Sequence, residues 1–207
     1  MTLGDHLDGS LTPDVAELLI VVASVEDARA LAPLGRPGSV VTDEPVRPVL
    51  VATGPDPLGV DAELDELDAP AGRLLLLDGP SRGWAEEAAR LVVRLDALIA
   101  GEPPAGVVVR GGSEAALAAA RSAVEVGVPV LHLPVPASDA RSAATGAVVA
   151  ELAAWQTSPE GGVPYPTEID LLVHRRLTPA PSRPRHAGDP NVVRMSTARS
   201  SRSSLSA

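Results

Sequence analysis

The chain contains neither cysteine nor lysine among its 207 residues. The first absence excludes a disulfide framework, thiolate catalysis and cysteine-ligated zinc. The second excludes a P-loop lysine, a Schiff-base lysine and a lysine general base, since all 17 basic residues are arginine. Aromatic residues make up 1% of the chain (Trp84, Trp155 and Tyr165, with no phenylalanine). A core must therefore be built from Val, Leu, Ile and Ala. No aromatic platform for stacking bases is expected, which argues against single-stranded nucleic-acid binding. No run reaches 18 apolar residues, and the segment 1–6 lacks a basic stretch. Neither a membrane span nor a signal peptide is predicted, and the expected setting is cytoplasmic.

The net charge of −10 is unevenly spread. From Arg175 onward there are seven arginines and one acid, Asp189, so the preceding part is strongly acidic. An acidic body does not approach a phosphate polymer readily, and nucleic acid is not an expected partner.

Apolar residues make up 45% of the chain and recur in a regular grammar. Leu18–Ala23 reads as a strand buried on both faces, followed by a helix with Ser24 as N-cap and Asp27 three positions on. Ser39–Thr42 reads as a short strand, Pro48–Thr53 as another, and Leu58–Leu67 as a helix after the Gly54-Pro-Asp-Pro turn. The run Arg73–Asp78 reads as a strand, and Trp84–Ala100 as the longest helix, with an apolar stripe through Leu91, Leu95 and Ile99. A strand ending at Arg110, the Gly111-Gly112 turn, a helix from Ser113 and a strand from Pro129 follow. Ser138–Trp155 reads as a last helix and Ile169–His174 as an edge strand. This alternation predicts an α/β three-layer sandwich with a mainly parallel sheet, Rossmann-like but without the dinucleotide fingerprint. The expected organisation is a flexible leader over 1–13, a single α/β domain over 14–176 and a disordered Arg/Ser/Pro-rich tail over 177–207.

Three strands end in glycine turns, at Thr53-Gly54, Asp78-Gly79 and Arg110-Gly111-Gly112. Ligands of open parallel sheets bind beyond the carboxyl ends of the strands, where helix N-termini also point. If these strands adjoin, Gly54, Arg110, Gly111, Gly112 and Ser113 form one binding crevice for a small anionic molecule. Backbone amides, the Ser113 hydroxyl and the Arg110 guanidinium would then hold the anion. The plainer alternative is that the glycines make tight turns and Ser113 is an N-cap. Asp78 is the candidate catalytic residue, as a base or as a carboxylate on magnesium, although Asp before Gly is also an ordinary turn former. His132, inside Val130–Pro134, is either a satisfied core histidine or a residue facing the crevice. The histidines lack metal-ligand spacing, and no metal site is predicted from them.

The segment Val49–Asp61, followed by Val107-Val-Val-Arg-Gly-Gly-Ser-Glu-Ala-Ala, resembles the C-terminal nucleotide-binding lobe of four-carbon acid sugar kinases. The resemblance implies that Gly111, Gly112 and Ser113 contact a nucleotide, that Gly54 lines the same pocket, and that ATP with magnesium is the cofactor.

Two readings follow. One is a protein that binds a small anionic metabolite or nucleotide at these turns, extending to a degenerate phosphotransferase. The other is a non-catalytic interaction or scaffold protein using its acidic body or basic tail. Turnover and homo-oligomerisation are left open. Deleting residues 177–207 separates the two readings: it should leave ligand-induced thermal stabilisation unchanged and abolish any tail-mediated association.

Overall fold

A computed structural model describes residues 15–36, 39, 46–77, 79 and 83–157. Its elements are β1 (Ala16–Val22), α1 (Val25–Gly35), β2 (Val46–Ala52), α2 (Pro57–Glu66), β3 (Arg73–Leu74), α3 (Trp84–Gly101), β4 (Gly106–Arg110), α4 (Glu114–Glu125), β5 (Val130–Leu133), α5 (Ala140–Leu152) and β6 (Trp155–Gln156). The six strands form one sheet in the order β3-β2-β1-β4-β5-β6, with every pairing parallel. The α/β Rossmann-like class expected from the alternation is the observed one.

Alternation along β1 shows how the sequence builds two cores. Leu18, Ile20 and Val22 join one apolar cluster with Leu31 of α1 and Leu64 of α2. Leu19 and Val21 join the other, with Leu91, Leu95 and Ile99 of α3 and the alanines of α4. Successive side chains of a strand point to opposite faces, so a sheet covered on both sides requires an unbroken apolar run. With no phenylalanine, volume is filled by Leu, Ile and Val. On α4, Ala115, Ala116, Ala118, Ala119, Ala120 and Ala123 are all buried against the sheet side.

The two serine caps match their sequence signals, and Asp56 adds a third. Ser24 Oγ accepts the Asp27 N–H at 3.1 Å, Asp56 Oδ1 accepts the Gly59 N–H at 3.0 Å, and Ser113 Oγ accepts the Ala116 N–H at 3.1 Å. Two elements differ from expectation. The run Arg73–Asp78 yields a two-residue strand, with one further ladder bond from the Leu75 N–H to the Ala52 carbonyl; beyond it Leu76 is exposed. The last helix ends at Leu152, because Trp155 and Gln156 pair with Leu131 and His132 as β6. The expected elements over 40–42 and 169–174, together with the leader and the tail, lie outside the described residues. Among the described residues no helix is long and apolar enough to cross a membrane.

Leu95 is fully buried between α3 and the sheet. Leu95→Ala should lower stability by about 2 to 5 kcal/mol, measured by urea unfolding, from lost burial plus the cavity left behind.

Candidate functional site

The sheet reverses its winding between β1 and β4. The chain first builds outward through β2 and β3, then returns to the other side of β1. Such a switch point opens a crevice beyond the carboxyl ends of the strands. A cavity of about 490 Å³ lies there, lined by Ser24 after β1, Arg110–Ser113 after β4, His132 of β5, the following loop from Pro134, one face of α5 and Gln156 of β6.

Gly111 is in the left-handed region, with φ +65°. Its N–H donates to the Leu133 carbonyl at 2.9 Å, prolonging the β4–β5 ladder by one bond. The reversal that follows allows its carbonyl to meet His132 Nε2 at 3.0 Å. Gly112 carries α5: an added Cβ there would lie 2.1 Å from the Ser142 carbonyl oxygen and 2.5 Å from the Gly146 nitrogen. Backbone occupies that space, so no side chain fits without moving the helix. Ser113 caps α4 and lines the cavity. In accepting the Ala116 N–H its oxygen uses a lone pair, not its proton.

Arg110 bridges the switch point. Its guanidinium donates to Asp27 Oδ1 at 2.7 Å and Glu26 Oε1 at 3.3 Å, both in the first turn of α1. The Arg110 and Asp27 side chains are only 14% and 10% exposed, whereas Glu26 is 82% exposed. The charged side chains lining the cavity are thus two carboxylates and one guanidinium already engaged with both.

His132 is 3% exposed. A carbonyl can only accept, so the bond to Gly111 places the proton on Nε2 of the neutral ring and leaves Nδ1 as a bare acceptor. Nδ1 has no hydrogen-bond partner. Burial drives the imidazole pKa below its ordinary value of 6.5, and the bond to the Gly111 carbonyl, which favours the charged form, opposes this only in part.

The expected site residues separate. Arg110, Gly111, Gly112 and Ser113 share the cavity just described. Gly54 lines a second cavity of about 410 Å³ with Asp56, Leu76, Leu77 and Gly79. β1 stands between β2 and β4, so the turns after those strands lie two strand spacings apart, roughly 10 Å. Gly54 is itself fixed by packing: at φ +92°, an added Cβ would lie 2.4 Å from the Ala23 carbonyl oxygen. Asp78 lies outside the described residues. Sequence reasoning missed Ser138, Ser142, Gly146 and Gln156. The one local signal for them was the Asp139–Ser142 capping box, in which each residue's side chain bonds the other's backbone N–H, at 2.8 and 3.1 Å. Among the described residues no cluster of three or more His, Asp or Glu could hold a metal ion.

No family model matches this chain, and no curated protein matches it. Solved structures do. A UDP-N-acetylglucosamine 2-epimerase superposes with a TM-score of 0.60 at 19% identity, over 72% of this chain and 43% of that one. The Neisseria meningitidis UDP-GlcNAc 2-epimerase bound to UDP-GlcNAc gives 0.59 at 18%, over 69% and 40%. The Methanocaldococcus jannaschii enzyme in complex with UDP-GlcNAc and UDP gives 0.55 at 17%, over 69% and 40%. The chain spans about two fifths of the length of these proteins. At such identities the likeness is one of fold.

These neighbours overturn the resemblance to four-carbon acid sugar kinases. The residues behind that resemblance, an apolar strand running into small turn residues, are what any parallel strand–turn–helix unit needs. Here Gly112 answers to α5 and Ser113 to the cap of α4.

Burial of neutral His132 makes stability depend on pH in a definite direction. Below pH 6.5 the unfolded chain takes up a proton that the native imidazole refuses, so stability should fall as pH drops from about 6.5 toward the native pKa. The slope is at most about 1.4 kcal/mol per pH unit. Urea unfolding at pH 7.5 and 5.5 should show this component in the native sequence and its loss in His132→Gln.

Proposed function

We propose that this protein binds a small metabolite of the nucleotide-sugar class in the cavity at the carboxyl ends of β1, β4 and β5. The observation that carries the reading is His132 Nδ1, an acceptor buried at the switch-point cavity with no protein partner. A buried polar group left without a partner is costly, and a ligand hydrogen bond relieves that cost.

Two features fit the rest of such a ligand. The N-terminus of α4 opens on the cavity at Ser113, and first-turn N–H groups with the helix dipole favour phosphate oxygens, whereas at α5 the Asp139 carboxylate already holds that place. Ser138, Ser142 and Gln156 add neutral groups able to meet hydroxyls, while Pro134, Val135 and Pro136 supply apolar surface. The same arrangement of strands occurs in proteins whose structures hold UDP-GlcNAc, which supports that ligand class as the one to test first. The proposal is one of binding.

Isothermal titration of the full chain with UDP-GlcNAc should give saturable heat, and the complex should unfold at higher temperature. Ligand at about 100 times Kd adds about 2.7 kcal/mol. Ala143 lines the cavity from an exposed position on α5, so Ala143→Trp should fill the site at little cost to folding. Binding should disappear in that variant while its unliganded unfolding temperature stays unchanged. Absence of heat from both UDP-GlcNAc and UDP in the native sequence would overturn the reading.

A further inference from the structure

Among the described residues four buried side-chain polar atoms lack a hydrogen-bond partner, and of these only His132 Nδ1 belongs to a residue lining the switch-point cavity. The chemistry of that atom is set by its own ring. With Nε2 donating to the Gly111 carbonyl at 3.0 Å, Nδ1 presents a lone pair and no proton. A phosphate or carboxylate oxygen brought to it would place acceptor against acceptor. Adding a proton to reverse this would create an imidazolium that is 3% exposed, with only a backbone carbonyl bonded to it. The charge around the cavity points the same way. Arg110, the lining cation, is held by Asp27 and Glu26, and Ser24, Ser113, Ser138, Ser142 and Gln156 are uncharged.

We infer that the ligand group seated at His132 is an uncharged N–H or O–H donor and that Nδ1 turns away phosphate and carboxylate oxygens, which makes His132 a specificity-determining residue. The inference rests on the proposal that this cavity is a ligand site. It divides the ligand in two: a neutral, donor-bearing part lies against β5, and any anionic part lies toward the N-terminus of α4.

The test reads the imidazole nitrogens directly. Long-range proton–nitrogen correlation on the ¹⁵N-labelled full chain, with His132 assigned by its loss in His132→Gln, should show the Nε2–H tautomer in the free protein. Acetamide and UDP-GlcNAc, which bear donors, should each shift the Nδ1 resonance saturably, and acetate, which matches acetamide in shape but bears no donor, should leave it in place. His132→Gln retains an amide to donate to the Gly111 carbonyl but has no acceptor at the Nδ1 position. It should keep the native unfolding temperature at pH 7.5 and bind UDP-GlcNAc at least roughly tenfold more weakly. A protonated Nδ1 in the free protein, a shift with acetate, or no response to either donor-bearing probe would overturn the inference. Failure of the two proposals is distinguishable. A silent Nδ1 with calorimetric UDP-GlcNAc binding intact sinks only the role of His132. A response to acetamide without any UDP-GlcNAc heat sinks only the nucleotide-sugar class.

Discussion

The cavity owes its shape to one backbone-to-backbone contact, between the turn after β4 and helix α5. At Gly112 the Ser142 carbonyl oxygen and the Gly146 nitrogen come closer than any Cβ tolerates. The helix can sit that low only because the turn offers no side chain there. Its low seat brings Ser138 and Ser142 over the loop that follows β5 and makes one wall of the cavity. The neighbouring Gly111, at φ +65°, turns the chain so that its N–H completes the ladder while its carbonyl holds His132. One pair of glycines therefore sets the helix, the tautomer of the histidine and the unpartnered acceptor together.

The second constraint is electrostatic. Arg110 and Asp27 are both largely shielded from water, and such a pair offsets its desolvation only while both partners stay matched. Recruiting the guanidinium to a ligand anion would leave the Asp27 carboxylate buried with its charge uncompensated. Arg110 therefore acts first as a tie between β4 and the first turn of α1 across the switch point. A ligand anion at this cavity would have to be met by main chain or hydroxyls, since the chain has no lysine.

The architecture was legible because its signals are local. Unbroken apolar runs gave β1, β2, β4 and β5; serine before helical spacing gave the caps of α1 and α4. Strand order was not legible, since it is decided by which faces must be covered after the chain crosses from β3 to α3. It is this order that parts Gly54 from Gly111. The Arg110–Asp27 pair spans 83 positions, and α5 meets Gly112 from 30 positions away at Ser142, so neither leaves a trace in local spacing. β6 was read into the preceding helix because two residues are too few to show a period of two.

Glycine turns carry an ambiguity that holds beyond this chain. A glycine answers either to a positive φ or to something that approaches too closely for a Cβ, and the sequence does not say what approaches. At Gly54 it is the Ala23 carbonyl and at Gly112 it is helix α5, whereas Gly79, at φ +70°, has no atom of a described residue within 4 Å of an added Cβ. A phosphate would have produced the same letters. What distinguishes a ligand site is a buried polar atom whose hydrogen bond the protein does not supply, since folding otherwise satisfies such groups. In this cavity that atom is His132 Nδ1. From the sequence His132 read first as a satisfied core residue and second as a residue facing the crevice. The structure satisfies Nε2 within the fold and leaves Nδ1 without a partner there.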